Sequence, residues 1–219
     1  MVEVVILDLD GTLIDTEPAI FSSFRYTFEK LLPKVDLTEE MIKSFIGPTL
    51  WDSFSRFSED EELIEDLVNC YRKHNIPAQS KYVELFPNVV DTLVKLKNQG
   101  YKIAICTSKL RDSAEFGMNL CKIDKYFDYT ICLDDIKSPK PNPEGINKII
   151  EKFGTNKAIM VGDNISDVKA GNNANIPSVA VTYSHPKEKL ETANPNYIIS
   201  DISEIFDVLN KENRWKYEC

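Results

Sequence analysis

The sequence predicts an α/β protein in which a doubly wound parallel sheet forms the core and a helical segment is inserted after the first strand. From residue 85 onward, short apolar runs rich in Val and Ile alternate with helical patterns, as is typical of a parallel sheet with helices on both faces. Residues 16–80 show apolar side chains at helical spacing and no strand pattern. We therefore predict a core domain of residues 1–15 and 84–219 and a helical domain of residues 16–83.

The first predicted element is a short buried strand that ends in two acidic residues. Its apolar run, residues 4–7, is followed by Asp8, Leu9 and Asp10. Side chains two apart in a strand point to the same side. The two carboxylates therefore converge at the carboxyl end of the strand, where α/β sheets place their ligands. Carboxylates this close repel unless a cation lies between them, and oxygen ligands of this type suit Mg²⁺.

The inserted segment is predicted to form four helices. Pro18 lies in the first turn of the first helix, and Pro33 ends it. The apolar spacing predicts helices near residues 16–32, 38–45, 50–57 and 60–74, with a break at Gly47-Pro48.

The remaining elements alternate between helix and strand. A helix begins at Val89 and ends before Gly100, a residue type that commonly follows a helix. The apolar runs predict strands at 101–106, 127–132, 158–161, 177–181 and 197–199, and helices at 110–120, 146–153, 165–171 and 202–209. The tail from Lys211 is polar, and we expect it to fray.

Composition excludes several classes of protein. The net charge of −9 argues against nucleic acid and anionic membranes as partners. No apolar run approaches the roughly 20 residues that a membrane span needs, and Glu3 and Asp8 interrupt any secretory leader. The five cysteines are odd in number and no two of them have CxxC spacing, which disfavours a disulfide framework or a zinc site. We expect a cytoplasmic protein.

Polar residues follow several of the predicted strands. They are Asp8 and Asp10, Thr107 and Ser108, Lys140 in a proline-rich loop, and Asp163 with Asp167. The carboxyl ends of parallel strands lie along one edge of a doubly wound sheet, so we expect these side chains to meet. Carboxylates, a hydroxyl and an ammonium group are functional groups that can catalyse phosphoryl transfer, which depends mainly on positioning and charge neutralisation.

The order and spacing of these residues resemble the haloacid dehalogenase superfamily. The resemblance rests on Asp8-x-Asp10-Gly11-Thr12, Thr107, Lys140 in Lys-Pro-Asn-Pro, and Gly162-Asp163-x-x-x-Asp167. The helical insertion resembles the cap domain of the phosphoglycolate phosphatase-like and pyrophosphatase-like branch. The resemblance implies a Rossmann-like core, a cap and a Mg²⁺-dependent phosphatase that acts on a small phosphorylated metabolite.

The resemblance also implies roles for the acidic residues. Asp8 would be the nucleophile that forms an aspartyl-phosphate and would also bind Mg²⁺. Asp10 would protonate the leaving oxygen, later activate water, and offer its backbone carbonyl to the metal. Asp163 would be a further metal ligand, and Asp167 would bind the ion directly or through water.

The remaining motif residues are implied to bind the phosphoryl group. Thr107 and Ser108 would donate hydrogen bonds to it, and Lys140 would neutralise it and keep Asp8 ionised. Gly11 and Thr12 would let the backbone approach the phosphate closely. We further predict substrate contacts from a second set of residues: Glu17, Thr49 and Lys109. His74 and His185 lie in polar stretches, and we expect both at the surface without a role.

Several functions stay open on the sequence alone. The resemblance implies that dehalogenases lack an acidic residue at position 10, so Asp10 favours a phosphatase. Phosphoglycolate, a nucleotide, a sugar phosphate and pyrophosphate are all candidate substrates. A mutase related to β-phosphoglucomutase shares the motifs, but the resemblance implies a basic cap loop there, and residues 47–50 carry no charge. A catalytically silent binding module is disfavoured because Asp8, Asp10, Lys140 and Asp163 are all present.

Overall fold

The computed structural model describes residues 1–46 and 48–214. Its strands are β1 Val4–Leu7, β2 Ile14–Asp15, β3 Glu84–Leu85, β4 Lys102–Cys106, β5 Tyr129–Ile131, β6 Ala158–Gly162, β7 Ser178–Val181 and β8 Tyr197–Ile199. Its helices are α1 Glu17–Leu31, α2 Glu39–Lys43, α3 Leu50–Phe54, α4 Glu61–Tyr82, α5 Val89–Asn98, α6 Arg111–Leu120, α7 Glu144–Phe153, α8 Ile165–Asn173, α9 Lys187–Glu191 and α10 Ile205–Arg214. Gly47 of the predicted break and the tail beyond Arg214 lie outside the described residues.

Six strands form one parallel sheet in the order β5-β4-β1-β6-β7-β8. The central strands β1 and β6 are buried along their whole length, as expected for strands covered on both faces. The α/β fold class predicted from the sequence is confirmed. β2 and β3 form a separate two-stranded sheet, and each is too short to give a pattern that sequence analysis can detect.

The register of the sheet brings three strand ends together. Leu7 at the end of β1 lies opposite Ile105 of β4 on one side and Val161 of β6 on the other. The residues that follow these strands therefore lie side by side at the carboxyl edge of the sheet. This edge holds the candidate site.

The chain divides into two compact units by its internal contacts. One consists of Met1–Asp15 and the described residues from Leu85 onward, and the other is Thr16–Glu84. That these units act as a catalytic core (1–15 and 84–219) and a cap (16–83) stays a prediction. In the described part of the chain, no helix is long and apolar enough to cross a membrane.

The Thr16–Glu84 unit packs around a cluster of aromatic rings. The ring centroid of Phe24 lies 4.9 Å from that of Phe45 and 4.7 Å from that of Tyr71, and all three side chains are buried. Offset and tilted ring pairs of this kind stabilise a core beyond the apolar area that they bury. His74 is half-buried and stacks on Tyr26, so its predicted surface position is only partly right.

Helix α4 is longer than the sequence predicts. The apolar spacing predicts a helix over 60–74, but α4 continues through Pro77 to Tyr82. Asn75 and Ala78 are buried, and the Asn75 amide donates to Ser23 Oγ of α1 at 3.2 Å. Packing against α1 therefore carries the helix past a residue that normally ends one.

Candidate active site

Asp8 and the turn that follows it form the centre of the site. Asp8 continues β1, and its N–H donates to the Val161 carbonyl at 2.9 Å. The chain then turns tightly, with the Leu13 N–H donating back to the Leu9 carbonyl at 2.9 Å. Gly11 has a φ of +79°, and Thr12 Oγ1 donates to Asp163 Oδ1 at 3.1 Å. The turn therefore connects the end of β1 to the end of β6.

Three buried carboxylates meet at this edge. Oxygen atoms of Asp8, Asp163 and Asp167 all lie within 4.8 Å of one another. Asp163 directly follows β6, and Asp167 lies in the first turn of α8, where its Oδ2 accepts the Asn164 N–H at 2.9 Å. The cap of α8 therefore fixes the position of the third carboxylate.

Lys140 is the cation inside this cluster. Its side chain is only 5% exposed, and its Nζ lies 2.8 Å from Asp8 Oδ1, 2.5 Å from Asp167 Oδ1 and 2.9 Å from the Cys106 carbonyl. The loop that carries it is held by the Glu144 carboxylate, which accepts the Ser138 N–H at 2.9 Å. The structure thus brings the predicted lysine into direct contact with two of the predicted aspartates, Asp8 and Asp167.

The charges of the cluster do not balance. Burial raises the pKa of Asp8 to about 7, with Lys140 opposing and Asp167 adding to the shift. Burial and the Asp167 carboxylate raise the pKa of Asp163 as well. Burial alone would lower the pKa of Lys140, but Asp167 and Asp8 raise it. When all three carboxylates are ionised, the single ammonium leaves an excess of negative charge, and hard oxygen donors of this type fit a divalent cation such as Mg²⁺.

We expect the stability of the protein to depend on pH and Mg²⁺. With chelator present, the folded state keeps a proton on Asp8 between its ordinary pKa of 3.8 and about 7, whereas the unfolded chain does not. The titration of Asp8 should therefore lower the free energy of unfolding by about 2 kcal/mol as the pH rises from 5 to 7. The raised pKa of Asp163 adds to this fall, and the lowered pKa of His185 opposes it. Thermal unfolding with EDTA or Mg²⁺ checks this, and Mg²⁺ should stabilise more at pH 7.5 than at pH 5.5.

The variant Asp163→Asn is the matched control, because it removes one carboxylate from the cluster. It should weaken both the pH dependence and the stabilisation by Mg²⁺. Asp128 and Asp201 have lowered pKa values, so their titration changes the stability only below about pH 4 and not between pH 5 and 7. A stability that rises between pH 5 and 7 with EDTA would contradict the charge arrangement described above.

Asp10 is not one of the three clustered carboxylates. Its side chain is 24% exposed, and Lys109 Nζ lies 2.7 Å from its Oδ1. Thr107 is buried, and its Oγ1 accepts the Lys109 N–H at 3.2 Å. Ser108 lies between them and is half-buried. The residues predicted from the sequence thus form two groups: a buried cluster around Lys140, and the Asp10–Lys109 pair.

Sequence analysis missed three residues that follow β7. Tyr183 Oη donates to the Thr12 carbonyl, and Ser184 Oγ donates to the Gly11 carbonyl. His185 Nε2 lies 3.8 Å from Asp163 Oδ2. The prediction that His185 lies at the surface is therefore wrong. Burial lowers the pKa of His185. The available signal was similar to the one that identified Thr107, because these residues lie within four positions of the end of an apolar strand.

Two of the predicted substrate contacts belong to the other compact unit. Glu17 lies in the first turn of α1. Thr49 precedes α3, where its Oγ1 accepts the Asp52 N–H at 3.1 Å and donates to the Asp52 carboxylate at 2.7 Å. Thr49 therefore caps a helix, and substrate contacts by Glu17 and Thr49 stay predictions.

Gly11 offers a direct test of the turn. A Cβ added at Gly11 would lie 2.2 Å from Asp163 Oδ2, and the φ of +79° is itself unfavourable for other residues. We expect Gly11→Ala to displace Asp163, raise the Mg²⁺ concentration needed for half-maximal activity at least about tenfold, and destabilise the fold by about 2 kcal/mol or more. Mg²⁺ titrations and urea unfolding provide the measurements.

Gly100 supplies the control for this substitution. Its φ is +83°, but a Cβ there would meet nothing within 4 Å. Gly100→Ala should therefore show only the backbone cost of about 1 kcal/mol and an unchanged Mg²⁺ requirement. If Gly11→Ala and Gly100→Ala changed the Mg²⁺ requirement and the stability equally, the close approach of residue 11 to Asp163 would be unimportant.

The fold and this site define an α/β protein with a cluster of carboxylates and a lysine at the carboxyl edge of a parallel sheet. The chain belongs to the haloacid dehalogenase-like hydrolase family, whose model matches residues 5–181. The resemblance found in the sequence motifs is thereby confirmed. The protein is an enzyme of the hydrolase class.

Curated and solved relatives extend this comparison. The chain is 37% identical over 216 residues to the pyrophosphatase PpaX of Bacillus cereus (strain B4264), covering 97% of this chain and 99% of the relative. A solved protein from Bacteroides fragilis, provisionally named a haloacid dehalogenase-like hydrolase, is 28% identical with a TM-score of 0.87, covering 94% of this chain and all of that one. A solved protein from Thermotoga maritima, provisionally named a β-phosphoglucomutase, is 26% identical with a TM-score of 0.75, covering 95% and 99%.

Proposed function

We propose that the protein is a Mg²⁺-dependent phosphatase that hydrolyses inorganic pyrophosphate through an aspartyl-phosphate on Asp8. The observation that carries the proposal is the buried contact of Lys140 with Asp8 and Asp167. It supplies a carboxylate nucleophile beside the positive charge that an incoming phosphoryl group needs. The likeness to a pyrophosphatase along nearly the whole chain supports the choice of substrate.

The geometry suggests how the nucleophile acts. Lys140 Nζ contacts Asp8 Oδ1 at 2.8 Å. Among the described residues, no hydrogen bond is found to Asp8 Oδ2, which leaves this oxygen to attack the phosphorus atom. The bridging P–O bond breaks as the new O–P bond forms, and the released phosphate takes a proton from Asp10. A water then attacks the phosphorus, gives its proton to Asp10 and releases the second phosphate, which restores Asp8.

The other residues hold the reacting groups. Lys140 opposes the rise in the pKa of Asp8 that burial causes, and thereby favours the ionised form of the nucleophile. Thr107 and Ser108, with the backbone at Gly11 and Thr12, would donate to the phosphoryl oxygens. Mg²⁺ held by Asp8, Asp163 and the Asp10 carbonyl would supply charge neutralisation at the phosphoryl group. Asp167 would act through water, because Lys140 and the Asn164 N–H already occupy its two oxygens.

Phosphate release from a panel of substrates tests the proposal. With Mg²⁺ at neutral pH, pyrophosphate should give a higher kcat/KM than phosphoglycolate, nucleoside monophosphates, sugar phosphates or p-nitrophenyl phosphate. EDTA should abolish the activity. A preference of tenfold or more for any monoester would replace pyrophosphate as the substrate, and full activity in EDTA would remove the metal from the proposal.

A phosphosugar mutase is the second candidate, supported by the likeness to the Thermotoga maritima protein. Incubation with β-glucose 1-phosphate distinguishes the two. A mutase would form glucose 6-phosphate without net phosphate release, whereas a hydrolase would release phosphate in proportion to the substrate consumed.

A further inference from the structure

Lys109 carries a second, half-buried ammonium group beside the reaction site. Its side chain is 12% exposed, and its Nζ lies 2.7 Å from Asp10 Oδ1. Lys109 has no part in the buried carboxylate cluster, where Lys140 provides the positive charge. Among the described residues, the only acceptor found for Lys109 Nζ is the Asp10 carboxylate. An ammonium has three N–H donors, so two of them are available to a bound group.

The backbone around Lys109 is held on both sides. Its N–H donates to Thr107 Oγ1 at 3.2 Å, and its carbonyl accepts the Leu133 N–H at 2.9 Å. A charged side chain whose backbone is already held in place loses less conformational freedom when it binds a ligand than a surface lysine does. The backbone of Lys109 is therefore held in a fixed position at the site.

We propose that Lys109 is a specificity-determining residue that selects leaving groups carrying negative charge next to the scissile oxygen. The proposal rests on the proposed function, because it takes Asp10 as the group that faces the leaving oxygen. Because Lys109 Nζ contacts the Asp10 carboxylate, it lies within about 5–6 Å of a leaving oxygen that is hydrogen-bonded to that carboxylate. The outer oxygens of a leaving phosphate, or a carboxylate on a short alcohol, come within direct reach of the ammonium.

The charge of Asp10 explains why such a residue is needed. Once Asp10 has given its proton to the leaving oxygen, its ionised carboxylate repels an anionic leaving group but has little effect on a neutral alcohol. Lys109 cancels that charge and offers donors to the anion. The leaving phosphate of pyrophosphate also gains charge as the bridging bond breaks, and an ammonium beside it stabilises that charge. Removal of Lys109 should therefore affect charged leaving groups most.

Kinetics of Lys109→Met test the selectivity, since Met keeps the length of the side chain without its charge. We expect kcat/KM for pyrophosphate to fall about 30- to 100-fold, and the fall for p-nitrophenyl phosphate to be at least about tenfold smaller. Lys109→Arg should recover most of the lost activity on pyrophosphate. Lys97→Met, which removes a lysine that pairs with Asp128 in another part of the core unit, is the control.

Equilibrium binding separates this proposal from the proposed function. Methylenediphosphonate and methylphosphonate are non-hydrolysable mimics of a charged and a neutral leaving group, and calorimetry with Mg²⁺ measures both without turnover. Lys109→Met should weaken methylenediphosphonate about tenfold or more, and methylphosphonate by less than about threefold.

The outcomes are distinct. If the wild type hydrolyses no pyrophosphate but Lys109→Met still weakens methylenediphosphonate selectively, the proposed substrate fails and the role of Lys109 stands. Equal losses for both mimics, or for both substrates, would show that Lys109 acts only by holding Asp10. Unchanged binding of both mimics, or no binding of either to the wild type, would overturn the proposal.

Discussion

Asp8→Asn is expected to abolish phosphate release, with a loss of more than about 1,000-fold in kcat. The amide keeps the shape of the side chain, but it is a far weaker nucleophile than a carboxylate and cannot form the aspartyl-phosphate. The measurement is phosphate release from pyrophosphate and from p-nitrophenyl phosphate with Mg²⁺. Both should fail, because the step that attacks the phosphorus does not depend on the leaving group.

Stability shows whether this loss is chemical or structural. Burial raises the pKa of Asp8 to about 7, so the ionised side chain destabilises the folded state at neutral pH. A neutral amide removes that cost, and we expect Asp8→Asn to be at least as stable as the wild type in EDTA at pH 7.5. The exposed Asp207 of α10 is the control, and Asp207→Asn should keep full activity. Activity above about 1% in a folded Asp8→Asn would overturn the assignment of the nucleophile.

Lys140→Met should lose both activity and stability. Lys140 Nζ contacts two buried carboxylates and a carbonyl, so its removal leaves Asp8 and Asp167 without their cation. Breaking a buried ion pair from one side typically costs about 3–5 kcal/mol. We expect a destabilisation of about 3 kcal/mol or more in EDTA at pH 7.5, and a loss of activity of at least about 100-fold with Mg²⁺. Urea unfolding and phosphate release provide the two measurements.

The pH dependence of this effect identifies its cause. At pH 5.5, Asp8 is mostly protonated, so the absence of Lys140 should cost less than at pH 7.5. The double variant Asp8→Asn/Lys140→Met should be more stable than Lys140→Met alone, because it removes one of the two carboxylates that are left without a cation. Lys157→Met is the control, since it removes only an exposed pair with Glu3. A cost that is the same at both pH values would point to lost packing instead of lost charge.

The fold class and most of the candidate site could be predicted from the sequence because their signals are local. Each core strand is an apolar run a few residues long, and each helix shows its own spacing. The rule that parallel strands end along one edge then places Asp8, Thr107 and Asp163 together without any knowledge of distances. These three residues do lie at that edge in the structure, with Lys140 among them.

The limits of α4 illustrate where local signals fail. Pro77 is a strong local signal for the end of a helix, and the sequence alone predicts an end near His74. Contacts with α1, such as that between Asn75 and Ser23, override it. The short elements β2, β3 and α9 were missed for a different reason, since two to five residues contain too little pattern to detect.

The sequence by itself determined the parallel sheet, the family and the aspartates and lysine of the buried cluster, because these follow from local patterns and from motifs in a fixed order. Only the tertiary structure decided that Lys109 pairs with Asp10 and that Tyr183 and Ser184 hold the turn after Asp10. The Lys109–Asp10 contact joins residues 99 positions apart in the chain, and the Tyr183–Thr12 contact joins residues 171 apart. No local pattern encodes such contacts, since they depend on how the packed sheet orients its loops.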